Sequence, residues 1–197
     1  MNFTFRLIIS LLLISTFGFS QKLARTEKKI RSYVEKQTDN AIDLIEKVVN
    51  INSGSLNIEG NKEVGNIFQK ELDKLGFKTY WVTYHDSVKR AGHLFAEMRG
   101  GKGKKIVMIG HLDTVFEVDH PFQKYTRDGD KAFGPGIADM KGGDVSMIYA
   151  MKALNHVGAL KNMDLTLVFI GDEEKLGAPS SIVRKELIDA GKWADIG

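Results

Sequence analysis

The chain is 197 residues long, with 43% hydrophobic and 27% charged residues and a formal charge of +3, which suits one globular domain with room for a sizeable core. So small a net charge gives no footing for a nucleic-acid partner or a membrane surface. The lack of cysteine excludes disulfide frameworks, cysteine–zinc sites and thiol nucleophiles together, so any metal must be held by His, Asp and Glu.

Residues 1–20 read as a cleaved secretory signal. Arg6 supplies the positive start, Leu7 to Phe17 the apolar run, and Gly18-Phe19-Ser20 a small-residue exit before Gln21. The run is short for a membrane span, and no cysteine follows it for lipid attachment; an uncleaved N-terminal anchor is the competing reading. The expectation is a secreted or periplasmic protein without a stable membrane partner, whose folded part occupies residues 21–197.

From Leu23 to about Asn50, apolar residues recur at three- and four-residue steps, which predicts helix with a possible interruption at Thr38–Asn40. Asn52 to Ser55 form a turn cluster. A second helix is predicted over Lys62–Leu75 and ends at Gly76. Phe77–Tyr84 and His93–Met98 read as strands. Lys105–Ile109 (KIVMI) and Leu165–Ile170 (LTLVFI) are continuous apolar runs, as strands buried on both faces would be. Glu117–Lys131 reads as polar and partly irregular. A helix is predicted from Val145 to Leu154 and another over Ser180–Ala190, with Ser180 and Ser181 as capping residues and a strand starting at Ala194. Alternating strands and helices predict an α/β fold, a mixed and mostly parallel sheet with helices on both faces, and ligand sites in such folds lie past the carboxyl ends of strands.

Three stretches carry chemistry. The first apolar strand runs into Gly110-His111-Leu112-Asp113-Thr114. His111 and Asp113, two apart in an extended segment, point the same way, a spacing that suits a metal-binding histidine oriented by a carboxylate. Phe133 to Gly143 (FGPGIADMKGG) surrounds one short acid, Asp139, with four glycines and a proline. The second apolar strand runs into Gly171-Asp172-Glu173-Glu174. Three adjacent acids at the end of a buried strand repel one another and resist ionisation; one glutamate binding a cation relieves this and leaves its neighbour free as a general base. Ligation by His and carboxylates favours zinc, or cobalt or manganese in its place. A carboxylate between two such strand ends can bridge two ions about 3.5–4 Å apart. The glycine-rich stretch lacks the G-x-x-x-x-G-K-[ST] pattern and puts an acid where a phosphate would sit, so it gives nucleotide binding no support.

GHLDTV, FGPGIADMKGG and GDEE, in this order and spacing, resemble the dinuclear zinc metallopeptidase family of glutamate carboxypeptidase (carboxypeptidase G type), aminoacylase, acetylornithine deacetylase and succinyl-diaminopimelate desuccinylase. The long GPGIADMKGG form is similar to the glutamate carboxypeptidase branch. The resemblance implies two zinc ions, with His111 and Glu174 as ligands of one each, Asp139 bridging both, Asp113 behind the histidine, and Glu173 as the general base of amide hydrolysis. It implies a small peptide or N-acyl amino acid substrate and a homodimer for the full-length protein. Dipeptidase and deacylase activities share these residues, and a non-catalytic binding module with the same fold is the rival class. The family also uses an acid on the next strand, a distant histidine and a lid or dimerisation domain. None of these lies within residues 1–197, so the resemblance implies an N-terminal portion of a catalytic domain.

Overall fold

The computed structural model describes residues 23–197, so the expected signal segment lies outside the described residues. Two helices come first, α1 (Arg25–Lys36) and α2 (Thr38–Val49). The break falls at Gln37, just before the expected stretch; there the Gln37 N–H folds back onto the carbonyls of Tyr33 and Val34. Helix α3 (Ile58–Asp73) starts four residues earlier than the apolar spacing predicts. Its start is set by a cap: the Asn57 side chain accepts the Gly60 N–H at 3.1 Å, satisfying one of the free donors of the first turn.

Strands β1 (Lys78–Val82), β2 (His93–Arg99) and β3 (Lys105–His111) follow. Within the expected irregular stretch lies a small hairpin of β4 (Thr126–Asp128) and β5 (Lys131–Phe133). Helix α4 (Gly142–His156) leads to β6 (Asp164–Ile170), and α5 (Ser180–Val183) and α6 (Lys185–Trp193) close the chain. The predicted Ser180–Ala190 helix is therefore two pieces. The break is at Arg184, whose guanidinium turns away to bind Asp172. Pro179 occupies the capping position of α5 and neither serine caps by side chain, which corrects the role expected for Ser180 and Ser181. The strand expected at Ala194 is present as a single parallel bridge between Ile196 and Ile106.

The four-stranded sheet has the order β1-β2-β6-β3. Its β1–β2 and β2–β6 ladders are antiparallel and its β3–β6 ladder is parallel. The α/β class and mixed sheet are as expected, but pairing among the described strands is not mostly parallel. Helices do cover both faces. On one, Val48, Val64, Phe68, Leu72 and Ile148 from α2, α3 and α4 pack against Leu94, Leu165, Leu167 and Phe169. On the other, Leu187 and Ala190 of α6 pack against Phe95, Val107, Val168 and Ile170. Both β2 and β6 send buried residues into the two cores. β3 lies at the edge of the described sheet with Ile109 46% exposed, so the expected burial of both its faces is not met there.

The first turn of α4 lies close against the end of β3. A Cβ at Gly110 would stand 2.0 Å from Asp144 Oδ1, so only glycine admits the approach. The Asp144 carboxyl is fully buried and neither oxygen has a hydrogen-bond partner. Burial pushes its pKa well above the ordinary value, against the pull of His111 and Lys141.

Two outcomes test this packing. Phe68, fully buried and 5.4 Å between ring centroids from Phe169, is expected to lose about 3–5 kcal/mol of stability on Phe68→Ala, measured by urea unfolding. Asp144 binds its proton more tightly folded than unfolded, so its carboxyl lowers stability as pH rises above the unfolded carboxylate range. Asp144→Asn should therefore stabilise the protein by roughly 1–3 kcal/mol at neutral pH. The gain should shrink towards zero near pH 4 in the same unfolding assay; an equal gain at both pH values would contradict the buried charge.

Candidate metal centre

Because β3 and β6 run parallel with His111 opposite Ile170, their carboxyl ends emerge side by side. The Leu112 N–H donates to the Ile170 carbonyl at 2.7 Å, one step beyond the ladder. This brings His-x-Asp and the Glu-Glu pair, some sixty residues apart in sequence, to the same edge.

The third piece is the loop from Gly136 to Lys141. Gly136 has φ +73°, and a Cβ there would meet Thr114 Cγ2 at 2.5 Å. The Lys141 N–H closes the loop on the Gly136 carbonyl at 2.8 Å. Asp139 stands at its tip with its side chain 76% exposed, and its Oδ1 lies 2.9 Å from His111 Nε2. His111 is buried, and its Nδ1 faces inward, 3.0 Å from the Asp113 carbonyl and 3.5 Å from Asp113 Oδ1. The ring thus presents Nε2 to the cleft.

His111 Nε2 or Nδ1, a carboxylate oxygen of Asp139 and one of Glu174 lie within 4.8 Å of one another. The donors fit a divalent cation of zinc's class: one imidazole nitrogen and two carboxylates, with no thiolate. The charges tell the same story. Burial opposes protonation of His111, but the carboxylates of Asp113 and Asp139 outweigh it and push the ring up to about 9. Glu174 is raised by burial and by the negative charges of Asp139, Asp113 and Glu173. Both shifts favour the protonated form, the direction expected of a cluster with an excess of negative charge.

Asp113 does more than stand behind the ring. It is fully buried, and its carboxylate accepts the Ser55 hydroxyl at 2.6 Å, the Glu173 N–H at 2.9 Å and the Glu174 N–H at 3.0 Å. Burial would raise its pKa, but His111 and these donors hold it below the usual carboxylate range. Glu173 itself is exposed, beside the trio rather than in it.

The acidic run does not sit together as its sequence suggests. Asp172 turns inward, fully buried, and accepts from Arg184 Nη1 at 2.5 Å and the Gly177 N–H at 2.8 Å. Its own carbonyl accepts from Arg184 Nη2 at 3.0 Å. Arg184 thus relieves the repulsion, and Glu173 and Glu174 alone serve the cleft. Ser55, Asp172 and Arg184 are functional neighbours that sequence reasoning missed as such. Ser55 was visible only as part of a turn cluster, and nothing local pairs it with a residue 58 positions away.

The similarities of the chain agree with this geometry. Residues 107–194 match the model of peptidase family M20/M25/M40. Carboxypeptidase G2 of Pseudomonas sp. (strain RS-16) is 32% identical over 177 residues, covering 86% of this chain and 41% of that protein. Succinyl-diaminopimelate desuccinylase of Buchnera aphidicola subsp. Cinara cedri is 33% identical over 149 residues, covering 70% of this chain and 36% of that protein. In fold, human carnosine dipeptidase 1 superposes with a TM-score of 0.69 at 20% identity, over 86% of this chain and 40% of that one. The chain thus spans well under half the length of each. With a mixed α/β sheet that carries the family's motifs at its strand ends, the chain belongs, as a partial domain, to peptidase family M20/M25/M40.

Proposed function

We propose that the protein is a secreted or periplasmic metallohydrolase that cleaves an amide or peptide bond, in the manner of a glutamate-carboxypeptidase-like exopeptidase. The observation that carries this reading is the convergence of His111, Asp139 and Glu174 within 4.8 Å, with Glu173 next to it on the same turn. The 32% identity to carboxypeptidase G2 supports a substrate with a free carboxylate at the cleaved end.

In this reading His111, Asp139 and Glu174 would hold zinc. Zinc, when bound, polarises the scissile carbonyl and lowers the pKa of water. The residues supply the rest. His111 keeps its Nδ1 proton on Asp113 and offers Nε2 as the ligand atom. Asp113 is a positioning residue: it holds the turn that carries Glu173 and Glu174 by their backbone N–H groups. Glu173, exposed to the cleft, takes a proton from water and delivers it to the leaving amine.

Two measurements test the proposal. The intact protein should bind two equivalents of zinc, lose hydrolysis of N-acyl glutamates on chelation and recover it with zinc. Glu173→Gln should keep zinc binding but lower kcat by about 10²–10⁴-fold. Activity that survives chelation would refute the metal reading, and a fully active Glu173→Gln would remove the base. For the location, N-terminal sequencing of the protein from the producing cell should begin at or near Gln21; a retained residue 1 would refute cleavage.

A further inference from the structure

Among the described residues, Lys141 is the only fully buried lysine, and the hydrolytic chemistry has no use for it. Its Nζ donates to the carbonyls of Val48 and Ile51, both at 2.9 Å, at the carboxyl end of α2. These partners lie 93 and 90 residues earlier in the chain. Burying an ammonium is costly, and a methionine would fill the same space without that cost, so the two bonds must serve something beyond packing. A cation at the carboxyl end of a helix is also well placed against its dipole.

What the bonds hold is the loop that presents Asp139. That loop departs from helical backbone at Asp139 and Met140. It is closed by Lys141 through its own N–H at one end. The Asp139 side chain, largely exposed, makes a single hydrogen bond, to His111. His111 and Glu174 are fixed by strand ends and by Asp113; Asp139 has no such support of its own. We propose that Lys141 is a positioning residue for Asp139, locking the Gly136–Lys141 loop onto the end of α2 so that the carboxylate faces the metal-binding cleft beside His111 and Glu174. This rests on the reading of those three residues as metal ligands.

The test uses the intact protein, zinc as the probe and competition with a chelator as the readout. Melting temperature is followed alongside. Zinc affinity should fall about 10–100-fold in Lys141→Met. Lys141→Arg, which still donates to the two carbonyls but with a larger head, should fall less. Leu160→Ala, a cavity in the core before the amino end of β6 and so at the opposite end of that strand from the site, should lower the melting temperature while keeping zinc affinity. Wild-type affinity in a folded Lys141→Met, or a loss in Leu160→Ala that tracks its stability, overturns the proposal. If Lys141→Met does not fold, Lys141→Gln, whose shorter side chain cannot keep both bonds, decides in its place: weakened zinc at an unchanged melting temperature supports the role, and unchanged affinity removes it. A wild-type protein that binds no zinc removes the metal reading itself, whereas a zinc-binding wild type with an indifferent Lys141 removes only this inference.

Discussion

The carboxylate of Asp113 ties three parts of the chain together at the cleft. It receives the Ser55 hydroxyl from the turn before α3, the inward side of the His111 ring from the end of β3, and two backbone N–H groups from the turn after β6. A hydrogen bond to a charged group is worth about 1.5–3 kcal/mol, roughly twice a neutral one, and three at one buried acid outweigh the desolvation that burial imposes. The consequence is geometric as much as energetic. The parallel β3–β6 ladder brings the two strand ends together, and Asp113 holds the backbone N–H groups of Glu173 and Glu174 where they leave the sheet.

Charge is distributed around this centre with a consistent logic. The acids that are fully buried and not at the cleft are relieved in two ways: Asp172 pairs with Arg184, and burial favours the protonated form of Asp144. The groups at the cleft are left uncompensated, so that His111 and Glu174 both hold protons more tightly than usual. A divalent cation would displace the Nε2 proton and relieve the repulsion between Asp139 and Glu174 together. The same separation explains why α5 and α6 are two helices. Arg184 leaves the helical path to reach Asp172, and a continuous helix would have left three acids facing one another.

What the sequence made legible was local. The order GHLDTV, FGPGIADMKGG, GDEE placed the site at the ends of two apolar strands, and those strands do lie side by side. Burial read well for β6, whose neighbours lie on both sides, and less well for β3, where Ile109 faces outward at the edge. Composition cannot tell a central strand from an edge strand, because hydrophobicity reports what a residue tolerates and not what lies beside it. The α3 start was missed because apolar periodicity ignores caps, and Asn57 is a cap. Ser55, Lys141 and Arg184 were illegible for one reason: each acts on a partner set by tertiary structure, in two of the three cases more than fifty residues away.

The three ligand candidates differ in how they are held. His111 ends β3 in its parallel pairing with β6, and the Asp113 carboxylate holds the turn that carries Glu174 by its backbone N–H. Asp139 depends on a contact between α4's leading loop and α2, which forms only when both helices have docked on the same face. Asp139 is thus the one of the three presented by a loop, and its exposed side chain is hydrogen-bonded only to His111. Two carboxylates converging on one imidazole repel each other, and a cation shared by the three would offset that repulsion.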